Sequence, residues 1–219
     1  MRVLIACEFS GTVREAFRRR GHDAWSADLL PAADGSPHHL RGDVLDVLSH
    51  GWDMMVAHPP CTYLSVSGLH WNHRNAERAA KTEAALEFVR QLLAAPIERI
   101  ALENPVSCIS SRIRKPDQTI QPYEFGADAS KRTCLWLQGL APLRKDPAQR
   151  VAGRLVPHSD GSGRMVERWA NQTDSGQNRL APSPDRWAVR SITYPGIAEA
   201  MAEQWGGEAI HGPLFGDAA

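Results

Sequence analysis

No stretch of the chain comes near the roughly 18 consecutive apolar residues that a membrane-spanning helix needs. Nor does it open on a secretory leader: in MRVLIACEFSGTV the apolar run is short and Glu8 ends it. A cytoplasmic protein with no membrane partner is expected. Neither sign of charge prevails, with 25 Lys and Arg against 25 Asp and Glu, which argues against a protein that coats nucleic acid by bulk electrostatics. The four cysteines, Cys7, Cys61, Cys108 and Cys134, lie far apart and form no CxxC pair. Zinc spacing and a disulfide framework are thereby excluded, leaving reduced thiols and no metal. A complete GxGxxG is missing too, so a nicotinamide dinucleotide site is poorly supported. No segment repeats.

What is present is an ordinary globular composition, 42% hydrophobic and 23% charged over 219 residues, enough for one core. RVLIAC (2–7) reads as a buried strand. TVREAFRRRG follows with helical character and ends at Gly21. HDAWSADLLP (22–31) reads as a second strand, and PAADGSPHHLRGD as a loop. DMMVAHPP (53–60) is a third strand stopped by its prolines. Residues 75–95 form the clearest helix, with Ala79, Ala80, Ala84, Leu86, Phe88, Val89, Leu92 and Leu93 on its apolar face. RIALENP (99–105) and RTCLWLQG (132–139) are two more strands, and GIAEAMAEQWG (196–206) a closing helix. From 140 to 190 Pro, Gly, Ser, Asn and Arg dominate, predicting a long loop with short elements. This alternation of strand and helix predicts an α/β sheet with helices on both faces. Residues 1–206 form one domain, with 140–190 as an insertion and 207–219 as a tail.

In open α/β sheets ligands sit at the carboxyl ends of the strands. Here those ends carry Glu8-Phe9-Ser10-Gly11, then Asp28, then Pro59-Pro60-Cys61, then Glu103-Asn104-Pro105. The EFSG turn is of nucleotide-binding type, and Asp28 can take a ribose diol, since a carboxylate accepts two hydroxyl hydrogen bonds. A helix cap or a solvated loop acid is the competing reading of Asp28. Together, turn and acid suggest an adenosine-containing cofactor.

With FSG, AD, GD, PPCTYLSVSG and ENP in this order, the chain resembles the DNA (cytosine-5) methyltransferase family over about residues 1–137 and 180–206. The resemblance implies a Rossmann-like sheet and S-adenosylmethionine as cofactor. Phe9, Ser10 and Gly11 match the cofactor turn. Asp28, with Leu29 beside it, takes the place of the ribose-binding acid, and Asp43 and Val44 match the adenine contact. Pro59 completes the implied cofactor set. Pro60, Cys61, Ser65 and Gly68 match the catalytic Pro-Cys-x-x-x-Ser-x-x-Gly loop, and Glu103-Asn104 its acidic partner. Arg132 matches one arginine of the Gln-x-Arg-x-Arg segment, where Asp128 and Ser130 replace Gln and the first Arg.

The implied chemistry explains the residue types. Cys61 adds as a thiolate to cytosine C6, which makes C5 nucleophilic. Glu103, protonated through a raised pKa, hydrogen-bonds N3. Asn104 holds the strand end and the Cys loop, the prolines stiffen it, and Gly68 lets it close over a base. Arg132 contacts the base carbonyl or a phosphate. Cys7, Cys108 and Cys134 read as core or near-core thiols, His58 and the His38-His39 pair as loop or packing residues, and Trp71, Trp169 and Trp187 as packing residues. The amino-methyltransferase motif, an acid or Asn followed by two prolines and an aromatic, fits poorly, because His58 and Cys61 occupy its outer positions.

The gap of roughly 140–185 is too short for an independent recognition domain, so the resemblance is to a compact, phage-like member, which would act in host cytoplasm. The implied substrate is cytosine in DNA with little sequence preference, or a free cytosine nucleotide, which needs no base flipping. A binding module that kept only the fold is a further alternative. Asn171, Gln172, Arg179, Arg186 and Arg190 are the candidates for contacting it: amides for a base edge, arginines for phosphate. The arginines from Arg144 to Arg190 are equally readable as a solvated surface.

Overall fold

Apolar runs with no alternation belong to strands covered on both faces, and RVLIA and MMVA are of that kind. They form β1 (Arg2–Ala6) and β4 (Met54–Ala57), the centre of the sheet. The computed structural model describes residues 1–207. Around β1 and β4 stand β2 (Asp23–Asp28), β3 (His39–Arg41), β5 (Arg99–Pro105), β6 (Gln118–Ile120) and β7 (Thr133–Gln138). The seven strands run in the order β3-β2-β1-β4-β5-β7-β6, and β7 is antiparallel to both neighbours while the other pairs are parallel. The chain reverses direction across the sheet between β1 and β4, which opens a crevice at their carboxyl ends.

One face packs α1 (Thr12–Arg19) and α6 (Pro195–Gly206) over Val3, Ile5, Met54, Val56 and Ala101. The other packs α3 (Ala76–Leu93) through Leu86, Val89 and Leu92 over Leu4, Met55, Ile100 and Leu102. Helices on both faces of a mostly parallel sheet make this the Rossmann-like α/β architecture expected. Short helices α2 (Val66–Leu69) and α4 (Ile109–Arg112) follow β4 and β5. The insertion holds a separate hairpin, β8 (Arg154–Pro157) and β9 (Met165–Arg168), and one short helix, α5 (Arg186–Ser191).

Several expectations are corrected. The segment read as a loop before Asp43 contains β3, an edge strand of three residues paired to β2 from Ser26↔His39 and pinned by a 2.8 Å bond between Ser26 Oγ and His39 Nδ1. So short a strand shows no periodicity, and the same holds for β6. Ala80 and Ala84 are exposed rather than on the core face of α3, and Thr82 is buried instead, its hydroxyl donating to the Tyr63 carbonyl at 3.0 Å. The first strand ends at Ala6, because Cys7 turns out of it with φ 59°. Apart from Gly207, the expected tail lies outside the described residues. Among the described residues no helix is long and apolar enough to cross a membrane.

Candidate active site

β4 stops because Pro59 and Pro60 cannot donate to a neighbouring strand, and Cys61 follows. Of the four thiols it is the exposed one. Its carbonyl accepts from Leu64 N at 3.1 Å and Ser65 N at 2.9 Å, folding the loop back on itself. The Asn104 amide, buried at the end of β5, donates to the Pro59 carbonyl at 2.8 Å, as expected of it. Two backbone bonds dock the loop onto the segment after β5: Cys108 N to Leu64 O at 2.9 Å and Val66 N to Val106 O at 3.2 Å. The Pro-Pro-Cys and Glu-Asn-Pro segments are thus one assembly. Ser65 bonds Ser67 and bridges to Ser107. Gly68 leaves space for Arg78, whose guanidinium donates to Gly68 O and Thr62 O and lies 5.2 Å from the Tyr63 ring centre. A Cβ at Gly68 would crowd that guanidinium, so the glycine makes room for this brace.

Glu103 is buried, and its Oε2 lies 2.9 Å from His58 Nδ1, with the two side chains 9% and 8% exposed. Burial pushes the carboxyl pKa up. The His58 hydrogen bond and the Lys131 charge outweigh it and hold the group below the ordinary glutamate range. The expected raised pKa is therefore wrong, and so is His58 as a mere packing residue. Nothing in the sequence separates them, because only the fold brings the end of β4 beside β5 at this register.

The crevice beside this assembly is a cavity of about 480 Å³. Its walls come from the ends of β1 and β2 (Cys7, Ala27, Asp28, Leu29), from Gly42, Asp43 and Val44, from Pro60 and Tyr63, and from Lys81, Ala84, Ala85 and Phe88 on α3. Asp28, Leu29, Asp43 and Val44, which the resemblance offers as cofactor contacts, come together in this wall. Asp28 and Asp43 each commit one carboxylate oxygen to a loop N–H, Leu30 at 2.9 Å and Leu45 at 3.0 Å. Among the described residues, the other oxygen of each carboxylate makes no hydrogen bond. Two carboxylates at the rim of a largely apolar slot suit a nucleoside, whose ribose hydroxyls and exocyclic amine donate and whose base is flat and apolar. Cys7 packs against the core cluster, as a near-core thiol, and also lines the slot; burial, with the charges of Asp28 and Asp43, pushes its thiol up, so it stays protonated. Pro60 lines the slot and Pro59 does not, the reverse of the expected division between them.

Phe9, Ser10 and Gly11 are not in that wall. Phe9 packs on Trp187, ring centres 6.1 Å apart. The Ser10 hydroxyl bonds Glu8 and Thr12. Gly11, at φ 76°, starts α1 where a Cβ would strike the buried Arg14 guanidinium. Glu8 is the residue that sequence reasoning missed. Its carboxylate accepts from Val13 N at 2.7 Å and Arg14 N at 3.2 Å. A fixed negative charge on the helix N-terminus occupies the place a pyrophosphate would take, so a cofactor with a cationic or zwitterionic portion suits this turn better.

Arg132 is exposed and lines a second cavity of about 540 Å³ with Ser110, Thr119, Gln121 and Tyr123. The charge bearing on Glu103 is its neighbour Lys131. In the insertion, both polar atoms of the Asn171 amide bond the Ser130 backbone at 2.9 Å. The Gln172 amide bonds Gly176 O and Trp169 N. These amides hold the fold and are not free to read a base edge as expected. Asp128 likewise accepts from Ala170 N. Arg179 donates through Nε to Gln172 O at 2.7 Å, while Arg186 and Arg190 sit at the two ends of α5. Lys131 Nζ donates to Arg190 O at 2.9 Å, so α5 runs from the Phe9 turn toward the residue beside Glu103. Trp169 is buried and stacked on Tyr123, but Trp71 and Trp187 are 51% and 56% exposed, against their expected packing role. Among the described residues, no group of three or more His, Cys, Asp or Glu is placed to hold a metal ion.

No family model matches the chain, and no curated protein does. Among solved structures it is similar to an E. coli protein described as a candidate DNA modification methyltransferase encoded within a prophage. The two are 15% identical, with a TM-score of 0.45 over 63% of this chain and 46% of that one. The chain thus spans about half the length of that protein, and a likeness this loose carries no argument about its chemistry.

Proposed function

We propose that the chain is an S-adenosylmethionine-dependent cytosine C5-methyltransferase acting on DNA with little sequence preference, through a covalent bond between Cys61 and cytosine C6. The observation that carries this reading is the exposed Cys61 thiol on a turn tied to the Glu103-Asn104 strand end by the 2.8 Å bond from Asn104 to Pro59.

When bound, S-adenosylmethionine supplies the methyl group. Asp28 and Asp43 would take its ribose and base, with Leu29, Val44, Ala84 and Phe88 against the flat faces. The chain's own part is covalent catalysis. The Cys61 sulfur adds to C6, and the displaced electron pair moves through C4 to N3, where Glu103 delivers a proton. C5 is then electron-rich. After methylation, a water acting as base takes the C5 proton, the Cys61 thiolate leaves C6, and N3 gives back its proton, which restores the aromatic ring. Asn104 keeps the turn from drifting while these bonds form and break. The residues from 140 to 190 act as a reduced recognition element, with Arg179, Arg186 and Arg190 facing phosphate.

A free cytosine nucleotide is the second substrate this site admits, because the insertion's amides are spent on the fold and do not read a sequence. The deciding assay supplies labelled methyl donor and compares transfer to duplex DNA, single-stranded DNA, RNA and dCMP. A 5-fluorocytosine substrate should trap wild-type protein covalently. No trapping on any of these substrates, with cofactor binding intact, would make the chain a binding module.

A further inference from the structure

Among the described residues, the His58 ring has one hydrogen-bond partner: its Nδ1 lies 2.9 Å from Glu103 Oε2, and its Nε2 is buried with none. The ring's one bond is to the carboxylate and both side chains are buried, so the ring bears directly on Glu103. The requirement on Glu103 is specific. It must hand a proton to the ring nitrogen, yet His58 and Lys131 keep it ionised at neutral pH against the pull of burial. An ionised carboxylate has nothing to hand over unless its neighbour refills it.

We propose that His58 is the positioning residue of Glu103, orienting its carboxylate and supplying the proton that passes to cytosine N3. The inference rests on the C5-methyltransferase reading. In the step, the proton on His58 Nδ1 passes to Glu103 Oε2, and the carboxyl so formed hands that proton on to N3. Glu103 is again a carboxylate, His58 becomes neutral, and N3 takes up the electron pair released by sulfur addition at C6. When the thiolate leaves, N3 returns the proton along the same path, so no external acid is consumed. Among the described residues, the other groups acting on Glu103 are Lys131, before β7, the Thr133 hydroxyl at the start of β7, and the Cys134 thiol, which the carboxylate charge helps to hold protonated.

The test is the pH dependence of methyl transfer by wild type and His58→Gln. Glutamine keeps a donor toward Glu103 but has no proton to lose. Wild-type kcat should fall on the alkaline side as the His58–Glu103 pair loses its shared proton. In His58→Gln kcat should drop roughly 100-fold with KM little changed, and the alkaline limb should move toward acid by at least one pH unit. Superposed profiles, or a limb moved toward alkali, overturn the assignment. Nitrogen-15 NMR of the imidazoles gives a readout that needs no turnover. In Glu103→Gln the His58 ring-nitrogen shifts should move from their wild-type values at neutral pH, and unmoved shifts overturn the coupling. If wild type transfers no methyl to any substrate, the reaction itself is wrong and the relay falls with it. Transfer with superposed profiles removes the relay alone.

Discussion

The Asn104 amide reaches across from β5 to the Pro59 carbonyl, 45 residues earlier in the chain, and the bond is buried. Proline leaves its own nitrogen no donor, so this carbonyl is the handle by which the turn before Cys61 is held. Removing the amide strands a buried acceptor, which costs about 1–3 kcal/mol. Asn104→Ala should melt several degrees below wild type, and trapping by a 5-fluorocytosine oligonucleotide should slow at least tenfold. A variant that melts lower but traps at the wild-type rate would confine Asn104 to stability.

Cys61 separates chemistry from folding more cleanly. It is exposed, so Cys61→Ala should change stability by no more than about 0.5 kcal/mol. It should bind S-adenosylmethionine as wild type does in calorimetry, since its side chain is not in the cavity wall. Methyl transfer and covalent trapping should vanish together. Residual transfer above background would mean that another group attacks the ring.

Among the described residues, Asp28 and Asp43 each have one carboxylate oxygen left over after bonding their own loops. A charge-assisted bond to a ligand is worth about 1.5–3 kcal/mol. Asp28→Asn or Asp43→Asn should therefore weaken cofactor binding roughly 10- to 100-fold while preserving the loop, because asparagine keeps the oxygen that bonds Leu30 or Leu45. An unchanged Kd in both variants would place the cofactor elsewhere.

How far the site was legible follows from how each residue acts. Cys61, Asn104 and Asp28 sit at strand ends, and strand ends are visible as apolar runs broken by proline or an acid; Asp43 was reached only through the resemblance, because the strand before it reads as a loop. The partners of those residues were not visible. Glu8 caps α1 from within its own turn, and His58 meets Glu103 only because β4 and β5 lie side by side in one register. The Asn171 amide was misjudged for the same reason: Ser130, which it holds, is 41 residues away. β3 and β6 escaped because three residues carry no period.

The Glu103 carboxyl also gives the fold a pH dependence. Its native pKa lies below the ordinary value, so the native state binds this proton less readily than the unfolded chain. The stabilisation is present above the unfolded glutamate pKa and is lost as pH falls through the native one. Between pH 6 and 3, Glu103→Gln should lose stability less steeply than wild type in thermal melts. Parallel acid limbs would show that the carboxylate is not the group responsible.

The remaining choice, strand or free nucleotide, turns on α5. Trp187 leans on Phe9 with more than half its surface in solvent, between Arg186 and Arg190 on a helix whose end is tied to Lys131. An exposed indole flanked by arginines is how proteins hold a polynucleotide without reading it: the base stacks and the phosphates are neutralised. A lone nucleotide, with its base already beside Cys61, has no second base to place there. Trp187→Ala should therefore weaken single-stranded oligonucleotide binding by about 1–3 kcal/mol and leave KM for dCMP unmoved. Arg186→Ala and Arg190→Ala should each flatten the salt dependence of oligonucleotide binding by about 0.7 in slope. If all three variants bind the oligonucleotide as wild type does, and dCMP is methylated, the nucleotide is the substrate and α5 is only a wall.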